Sequence, residues 1–151
     1  MAIPNGTVIF HDLIDTGEGN VVGIGQASIP LRNWGLLVGV DATGNPHSAF
    51  NGGRPVLTLF DPEHGNEWVC GEQQADGKIL TAGGSQRLYT ARYQANGLID
   101  RSFGQHGSIK EDTELVTTPA QLQIQTDGRV LLAGNTLGLG GALGHIYGYP
   151  G

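Results

Sequence analysis

Short apolar runs separated by glycine-rich turns recur along the chain. Residues 78–83 (KILTAG) and 129–134 (RVLLAG) each follow Asp-Gly, the dipeptide typical of a tight hairpin, for which we expect a type I′ turn. Residues 120–125 (AQLQIQ) alternate apolar and polar side chains, as in a strand with one buried face. No stretch sustains the helical period of an amphipathic segment. The pattern therefore predicts an all-β protein with minimal helix.

The turn-and-strand pattern repeats roughly every fifty residues. Asp76-Gly77 and Asp127-Gly128 occupy equivalent positions, and residues 91–107 align without gaps on residues 38–54. Periods of this length are typical of repeat architectures, in which each unit is one small sheet. The period predicts three units of four short antiparallel strands in a single domain, with the extra residues of the first unit at 29–33. The units cover approximately 1–52, 53–106 and 107–151 of the domain 1–151.

Three stretches resemble the Delta-60 repeat family. They are ADGKILTAGG at 75–84, TARYQANGLIDRSFGQHG at 90–107 and TDGRVLLAG at 126–134. The family signature is similar to D-G-K-I-[LV]-x-A-G followed by A-R-Y-x-x-x-G-x-[LI]-D-x-S-F-G-x-x-G, of which the first unit keeps Gly44 and Phe50. The resemblance implies a β-propeller-like fold with four-stranded blades of this length. It implies no activity.

Three blades are too few for a closed propeller, which typically has about 4–8. An open arc would leave two strand edges unpaired, and such edges promote aggregation. We therefore expect edge-strand pairing between two copies, which would form a homodimer with a six-bladed ring. Two alternatives also fit three units of this length. One is a monomeric β-trefoil-like or β-prism-like three-fold fold, and the other is a fragment of a longer propeller.

Composition and charge narrow the classes of partner. The net charge is −6, with only 8 Lys+Arg and no basic cluster, which argues against nucleic acid and anionic membranes as partners. The first residues lack the basic segment of a Sec signal, and no apolar run is long enough to span a bilayer, so we expect no membrane insertion. Localisation stays open between the cytoplasm and export without a signal. The single cysteine excludes an internal disulfide.

Residues with catalytic potential are sparse. The chain lacks a G-x-S-x-G elbow, an HExxH zinc helix, a Walker loop and a dinucleotide fingerprint. Cys70 has no histidine partner that the sequence can nominate, and turn geometry explains the repeated Asp-Gly pairs. Arg92 and Asp100 belong to the family signature and indicate a structural ion pair between strands. We therefore predict no catalytic residue, no metal site and no cofactor.

Two acidic segments are the densest polar clusters, at 61–68 (DPEHGNEW) and 11–18 (HDLIDTGE). Carboxylates and an imidazole can bind a divalent cation or a polar ligand, although the spacing matches neither an EF-hand nor a zinc motif. The simpler interpretation of both segments is a solvated loop. The candidate ligand-binding residues of the first segment are Asp61, Glu63, His64 and Glu67, and the acidic residues of the second are Asp12, Asp15 and Glu18.

The aromatic residues suited to stacking on a sugar ring are Trp34, Trp68, Tyr147 and Tyr149. Trp34 lies beside the extra residues of the first unit and Trp68 ends the acidic segment, and repeat scaffolds place function on such unit-specific loops. The alternative is that each ring caps the core of its blade. The favoured function is a non-enzymatic binding module for a glycan, cell-surface or protein ligand. A structural assembly protein is the alternative, followed by a hydrolase or lyase with a site in the central pocket.

Overall fold

The computed structural model describes residue 3 and residues 5–111, 117–138 and 141–150. Within them the chain forms eleven β-strands, one 3₁₀ turn at Asn51–Gly53 and no α-helix, which confirms the all-β prediction. The strands are β1 (Thr7–Gly17), β2 (Asn20–Ile29), β3 (Arg32–Val40), β4 (Val56–Thr58), β5 (Trp68–Gln73), β6 (Ile79–Gly83), β7 (Tyr89–Tyr93), β8 (Ser108–Lys110), β9 (Thr117–Ile124), β10 (Val130–Gly138) and β11 (Gly141–Tyr149). No helix with the length and apolar character needed to cross a membrane occurs in these described ranges.

The strands form three antiparallel sheets. The first sheet has the order β1-β2-β3-β4, the second β5-β6-β7-β8, and the third β9-β10-β11. The third sheet therefore has three strands within the described residues, where four were predicted. The predicted unit boundaries after residues 52 and 106 fall just before β4 and β8, which are the outermost strands of the first and second sheets.

The three sheets are stacked face to face, with the second sheet in the middle. One apolar cluster, which includes Ile24, Leu37 and Tyr93, lies between the first and second sheets. Another cluster, which includes Leu80 and Leu132, lies between the second and third sheets. β1 contacts β5, and β5 contacts β9. The first strands of the sheets are therefore neighbours, as the inner strands of propeller blades are.

This stacking does not fit the three-fold alternatives. The second sheet buries both of its faces, whereas each sheet of a prism turns a single face toward the common axis. The described strands also stay in three separate sheets and do not close into the barrel that a trefoil requires. The architecture is therefore propeller-like.

The two Asp-Gly hairpins have the same geometry, which differs from the predicted type I′ turn. Gly77 has a φ of 88° and Gly128 a φ of 85°, whereas the φ of Asp76 is not positive. The Gly77 amide donates to the Gln74 carbonyl, and the Gln74 amide donates to the Lys78 carbonyl. The loop therefore holds three residues, a type I turn followed by a left-handed glycine, because the hairpin closes one residue later than a type I′ turn would.

The corner between β7 and β8 contains the predicted ion pair of Arg92 and Asp100. The Arg92 Nε lies 2.8 Å from Asp100 Oδ2, and both side chains are largely buried. The guanidinium carbon also lies 4.8 Å from the centroid of the Phe103 ring. Hydrogen bonds from Ser102, together with the one from Arg92, hold the pKa of Asp100 below its usual value. The pair connects β7 to the corner loop that contains Asp100, and so does not join two strands as predicted.

Two carboxylates connect neighbouring inner strands. Asp12 Oδ2 accepts a hydrogen bond from the Gly71 amide at 3.0 Å, and Glu72 Oε2 accepts one from the Ile124 amide at 2.7 Å. An inner strand has one edge without a strand partner, so amides on that edge need other acceptors. The carboxylates of one sheet supply them to the next.

Cys70 lies on β5 and packs in the cluster between the second and third sheets. Burial, and then the nearby charge of Asp12, raise the pKa of the Cys70 thiol to about 12. The thiol is therefore protonated at neutral pH, and a protonated thiol is a poor nucleophile.

Candidate functional site

Successive antiparallel strands place their connections alternately at the two ends of the stack. The Asp-Gly turns of the second and third sheets line one pocket, and the Asn51 amide donates to the Asn96 carbonyl between the corners of the first and second sheets. We call this end the repeat end. The opposite end carries the β2–β3 turn, the β4–β5 connection at 59–67 and the β6–β7 loop, and we call it the variable end. The repeated motifs lie at the repeat end, so the connections at the variable end are unit-specific.

Two unit-specific connections meet at the variable end. The Asn66 amide, in the β4–β5 connection, donates to the Asn33 carbonyl at 2.9 Å beside the β2–β3 turn. Gly65 allows this approach, because a Cβ there would lie 2.7 Å from the Asn33 carbonyl oxygen. A recess of about 420 Å³ forms where the two connections meet, and we call it the variable-end recess. It is lined by Asn5, Ser28, Ile29, Pro30, Leu31, Arg32, Asn33 and His64.

Asn66 organises the β4–β5 connection. Its side chain is fully buried, its Oδ1 accepts the Phe60 amide at 2.8 Å, and its Nδ2 donates to the Thr58 carbonyl at 3.1 Å. A buried amide with every group paired holds a loop in one conformation. Asn66 therefore ties the connection that carries His64 to β4.

The acidic segment 61–68 is a structured turn built around Asp61. Asp61 Oδ1 accepts the amides of Glu63 and His64, and the His64 Nδ1 lies 3.2 Å from both carboxylate oxygens. Partial burial acts to raise the pKa of Asp61, but the hydrogen bonds from His64 and Glu63 outweigh it and lower that pKa. Glu63 is exposed and Glu67 is partly buried, and of these four residues only His64 lines the recess.

Neither acidic segment gathers a metal site. Across the described residues, no group of three or more His, Cys, Asp or Glu side chains is placed to hold a metal ion. In the second segment, Asp12 is bound to the Gly71 amide, Asp15 accepts the amide of Gly17, and Glu18 lies in the same turn with a φ of 56°. Asp12 and Asp15 therefore serve the backbone, one between sheets and the other within its own turn.

Leu31 forms the tip of the β2–β3 turn. Its side chain is 100% exposed and its φ is 82°. A left-handed backbone conformation costs a residue that has a Cβ about 1–2 kcal/mol. With this φ, Leu31 is the third residue of a type II turn, a position that normally holds Gly or Asn. An exposed apolar side chain in an unfavourable conformation contributes nothing to the core, so another reason for its presence is needed.

The four aromatic candidates lie in different places. Trp34 is on β3 and half-buried, opposite Ala27, one residue from the recess. Trp68 is fully buried between the first and second sheets, where its Nε1 donates to the Tyr93 hydroxyl at 3.1 Å. Trp68 therefore offers no surface to a sugar, and its role is the alternative one of filling the core.

Tyr147 and Tyr149 pack between the second and third sheets, away from the recess. Tyr149 is buried and donates to the Glu111 carboxylate, and burial and then this hydrogen bond raise the pKa of its hydroxyl. Tyr147 is only partly buried against the same cluster. The structure therefore does not bring the four rings together.

The recess residues Leu31, Arg32 and Asn33, and Asn66 in the adjoining connection, were not singled out as site residues from the sequence. A signal for three of them existed, because they lie in or beside the extra residues of the first unit. Asn66 had no such signal, since its role depends on contacts with Thr58, Phe60 and Asn33 that only the folded chain creates.

The family described as "Domain of unknown function (DUF5122) beta-propeller" matches residues 74–103. The chain contains a β-propeller-type repeat. The matched residues run from the β5–β6 turn through β7 to the corner at Phe103, within the second sheet. The three stacked sheets are accordingly called blades below. No curated protein matches the chain.

Proposed function

We propose that this protein is a non-enzymatic, propeller-type binding module that recognises a protein ligand at the variable-end recess. The observation that carries the proposal is the meeting of two unit-specific connections beside Leu31, a leucine that is fully exposed and has left-handed backbone. An unfavourable backbone conformation at Leu31 costs stability, and such costs are typical of binding surfaces. Repeat scaffolds commonly bind through the loops of one face.

A protein ligand fits the chemistry of the recess better than a glycan. Leu31 supplies an apolar tip, and Arg32, Asn33 and His64 surround it with polar groups, as in a protein interface with an apolar centre and a polar rim. Sugar recognition favours an exposed aromatic face, and Trp68 and Tyr149 are both buried. Trp34 alone of the four aromatic candidates lies near the recess.

The substitution Leu31→Asn tests this proposal, because stability and binding should change in opposite directions. Asparagine tolerates left-handed backbone, so we expect the free energy of unfolding to rise by about 1 kcal/mol in urea denaturation. Binding is tested with peptides selected from a displayed random library against the unmodified protein. Some of these peptides should bind the variant at least about tenfold more weakly, which is a loss of about 1.4 kcal/mol of binding free energy.

The matched control is Leu98→Asn, which changes an exposed leucine in a turn at the repeat end. Ligands of the recess should bind this control with unchanged affinity. A library that yields no ligand sensitive to Leu31→Asn would contradict the proposal. Binding on a glycan array that disappears in the Leu31→Asn variant would favour the glycan alternative instead.

A specific observation also supports a second function, assembly through the open faces of the outer blades. Ile14 faces the second blade, so the preceding Leu13 faces the other way, and its side chain is 68% exposed. Tyr147 likewise packs against the second blade, and the preceding Ile146 is 76% exposed on the opposite face. Each outer blade therefore has an apolar face without a neighbour in the described residues.

The repeat makes these two faces complementary. In the repeat, Val21 of the first blade corresponds to Ile79 of the second, and Ile79 packs toward the preceding blade. Leu131 of the third blade corresponds to Leu80 of the second, and Leu80 packs toward the following blade. The open face of the third blade is thus equivalent to faces that pack on a following blade. We infer that two copies, joined in this way at both faces, close a six-bladed Delta-60-type ring.

Light scattering of the purified chain should give a mass of about twice 15.8 kDa. Ile146→Asp places a charge on the open face and should reduce the mass to that of one chain, because an unpaired charge is costly to bury. Leu98→Asp, an exposed leucine off both open faces, should leave the mass doubled. A single-chain mass for the unmodified protein would contradict assembly by pairing of copies.

A further inference from the structure

A second concave surface lies between the outer strands of the first and second blades. One part, of about 680 Å³, runs along β4 and is lined also by Tyr93, Ile99 and Arg101. The other part, of about 630 Å³, runs along β8 and is lined also by Tyr89. Phe60 and His106 line both parts, so the two are contiguous. We call the whole the rim groove.

The rim groove gathers two cationic side chains and a histidine in an acidic protein. Arg101, His106 and Lys110 line it and are exposed, and none of the three is paired with a carboxylate among the described residues. No Asp or Glu occurs among the described residues that line either part. Elsewhere, Lys78 and Arg129 are each neutralised by an aspartate in their own turn. In a chain with 8 Lys+Arg and a net charge of −6, this concentration favours an anionic ligand.

The acidic side chains beside the groove are already engaged, including Glu111, next to Lys110, which accepts a hydrogen bond from the Tyr149 hydroxyl. Asp61 is bound to His64. Burial is the largest cause of the raised pKa of Tyr89, and the charge of Asp61 is the next largest. Asp100, next to Arg101, is bound to Arg92. Arg92 therefore neutralises Asp100, and the oxygens of Asp61 are engaged within its own turn.

His106 occupies a position that the other blade fills with glycine. Its φ is 57°, and in the gap-free alignment of the two corners it falls on Gly53, whose φ is 77°. A left-handed position is favourable for glycine and unfavourable for most other residues. The second blade therefore has a histidine where its fold would be served by glycine, and that histidine lies where the two parts of the groove meet. An outlier of this kind at a cleft points to function.

The floor of the groove suits a peptide better than a sugar. The Phe60 ring is stacked on Tyr89, with centroids 5.9 Å apart, and makes an edge contact with Trp68, so part of its surface is already covered. The remaining apolar lining includes the aliphatic Ile99 and Ile109. β4 and β8 are the last strands of their sheets, and each has one edge with no strand partner in the described residues. An extended peptide can use such an edge for backbone hydrogen bonds.

We propose that the rim groove binds an extended acidic peptide segment of another protein, with Arg101, His106 and Lys110 contacting its carboxylates. The aliphatic lining receives the apolar side chains of a peptide in which acidic and apolar residues alternate, since alternate residues of an extended chain point to opposite sides. This site is at the rim and is independent of the variable-end recess.

The test uses a fluorescein-labelled peptide of eight alternating Glu and Val residues, with the Lys–Val peptide as a charge control. In fluorescence anisotropy the Glu–Val peptide should bind, more weakly at high salt, and the Lys–Val peptide should not. The double variant Arg101→Gln with Lys110→Gln should lose at least about tenfold in affinity. His106→Gly should lose about threefold without losing stability, because glycine accepts the backbone conformation.

Two variants separate this site from others. Arg129→Gln removes one positive charge far from the groove, and Leu31→Asn alters the recess, and both should bind the Glu–Val peptide with unchanged affinity. Equal affinity of the Arg101→Gln, Lys110→Gln double variant and the unmodified protein would overturn the proposal. Polygalacturonate that binds as tightly as the peptide, and is lost with the same double variant, would overturn it in favour of an acidic glycan.

Discussion

Replacement of Trp68 by alanine is expected to lower the free energy of unfolding by about 3–5 kcal/mol. Trp68 is among the largest fully buried side chains of the described residues and fills the space between the first and second blades. Its loss would leave a cavity and would also remove the hydrogen bond from Nε1 to the Tyr93 hydroxyl. The measurement is the midpoint and slope of the urea unfolding transition of each purified variant, monitored by fluorescence and by far-UV circular dichroism.

Two further variants serve as comparisons for Trp68→Ala. Trp68→Phe keeps most of the apolar volume and loses the hydrogen bond, so we expect an intermediate loss of about 1–2 kcal/mol. Trp34→Ala removes the other, half-buried tryptophan and should cost about 1 kcal/mol. Equal losses for Trp34→Ala and Trp68→Ala would contradict the packing between the first and second blades.

The substitution Gly35→Ala should destabilise the protein by about 2–3 kcal/mol, although it adds a single methyl group. A Cβ at Gly35 would lie 2.3 Å from Nε1 and 2.6 Å from Cε2 of Trp68. The indole is rigid and fully buried, so it cannot move aside without displacing its neighbours. The urea-unfolding measurement is the same as for Trp68.

The matched control is Gly144→Ala on β11, where a Cβ would meet no atom within 4 Å and φ is not positive, so no loss is expected. The clash also predicts non-additivity. In a Trp68→Ala background, Gly35→Ala should cost close to nothing, because the atoms it would strike are absent. Additive losses in the double variant would show that Gly35 is required for some reason other than the approach of Trp68.

The sequence predicted the repeated, local parts of the fold correctly. Strands at 78–83 and 129–134, the ion pair of Arg92 and Asp100, and a mainly β structure all follow from patterns within a few residues of one another. The type I′ prediction was wrong because the dipeptide Asp-Gly suits two hairpins that differ by one residue in loop length. Residue type alone does not distinguish them.

The candidate site was predicted only in part. His64 was named from the acidic segment and does line the recess, but the Asp61 carboxylate beside it is used to hold the turn. Trp68 was named for the same reason as Trp34, its place beside a unit-specific segment, yet one is in the core and the other is half-exposed. Sequence position does not tell which face of a strand meets a neighbouring sheet when that neighbour has not been placed.

The amino-acid sequence by itself determined the repeat end of this protein. Glycines such as Gly77 and Gly128 adopt left-handed backbone, and short apolar runs follow them, so each hairpin forms from information within its own segment. Only the tertiary structure decided the variable end and the rim. Asn33 is bonded to Asn66, and Phe60 and His106 line one groove, although each pair is far apart in the chain and no local pattern encodes the pairing.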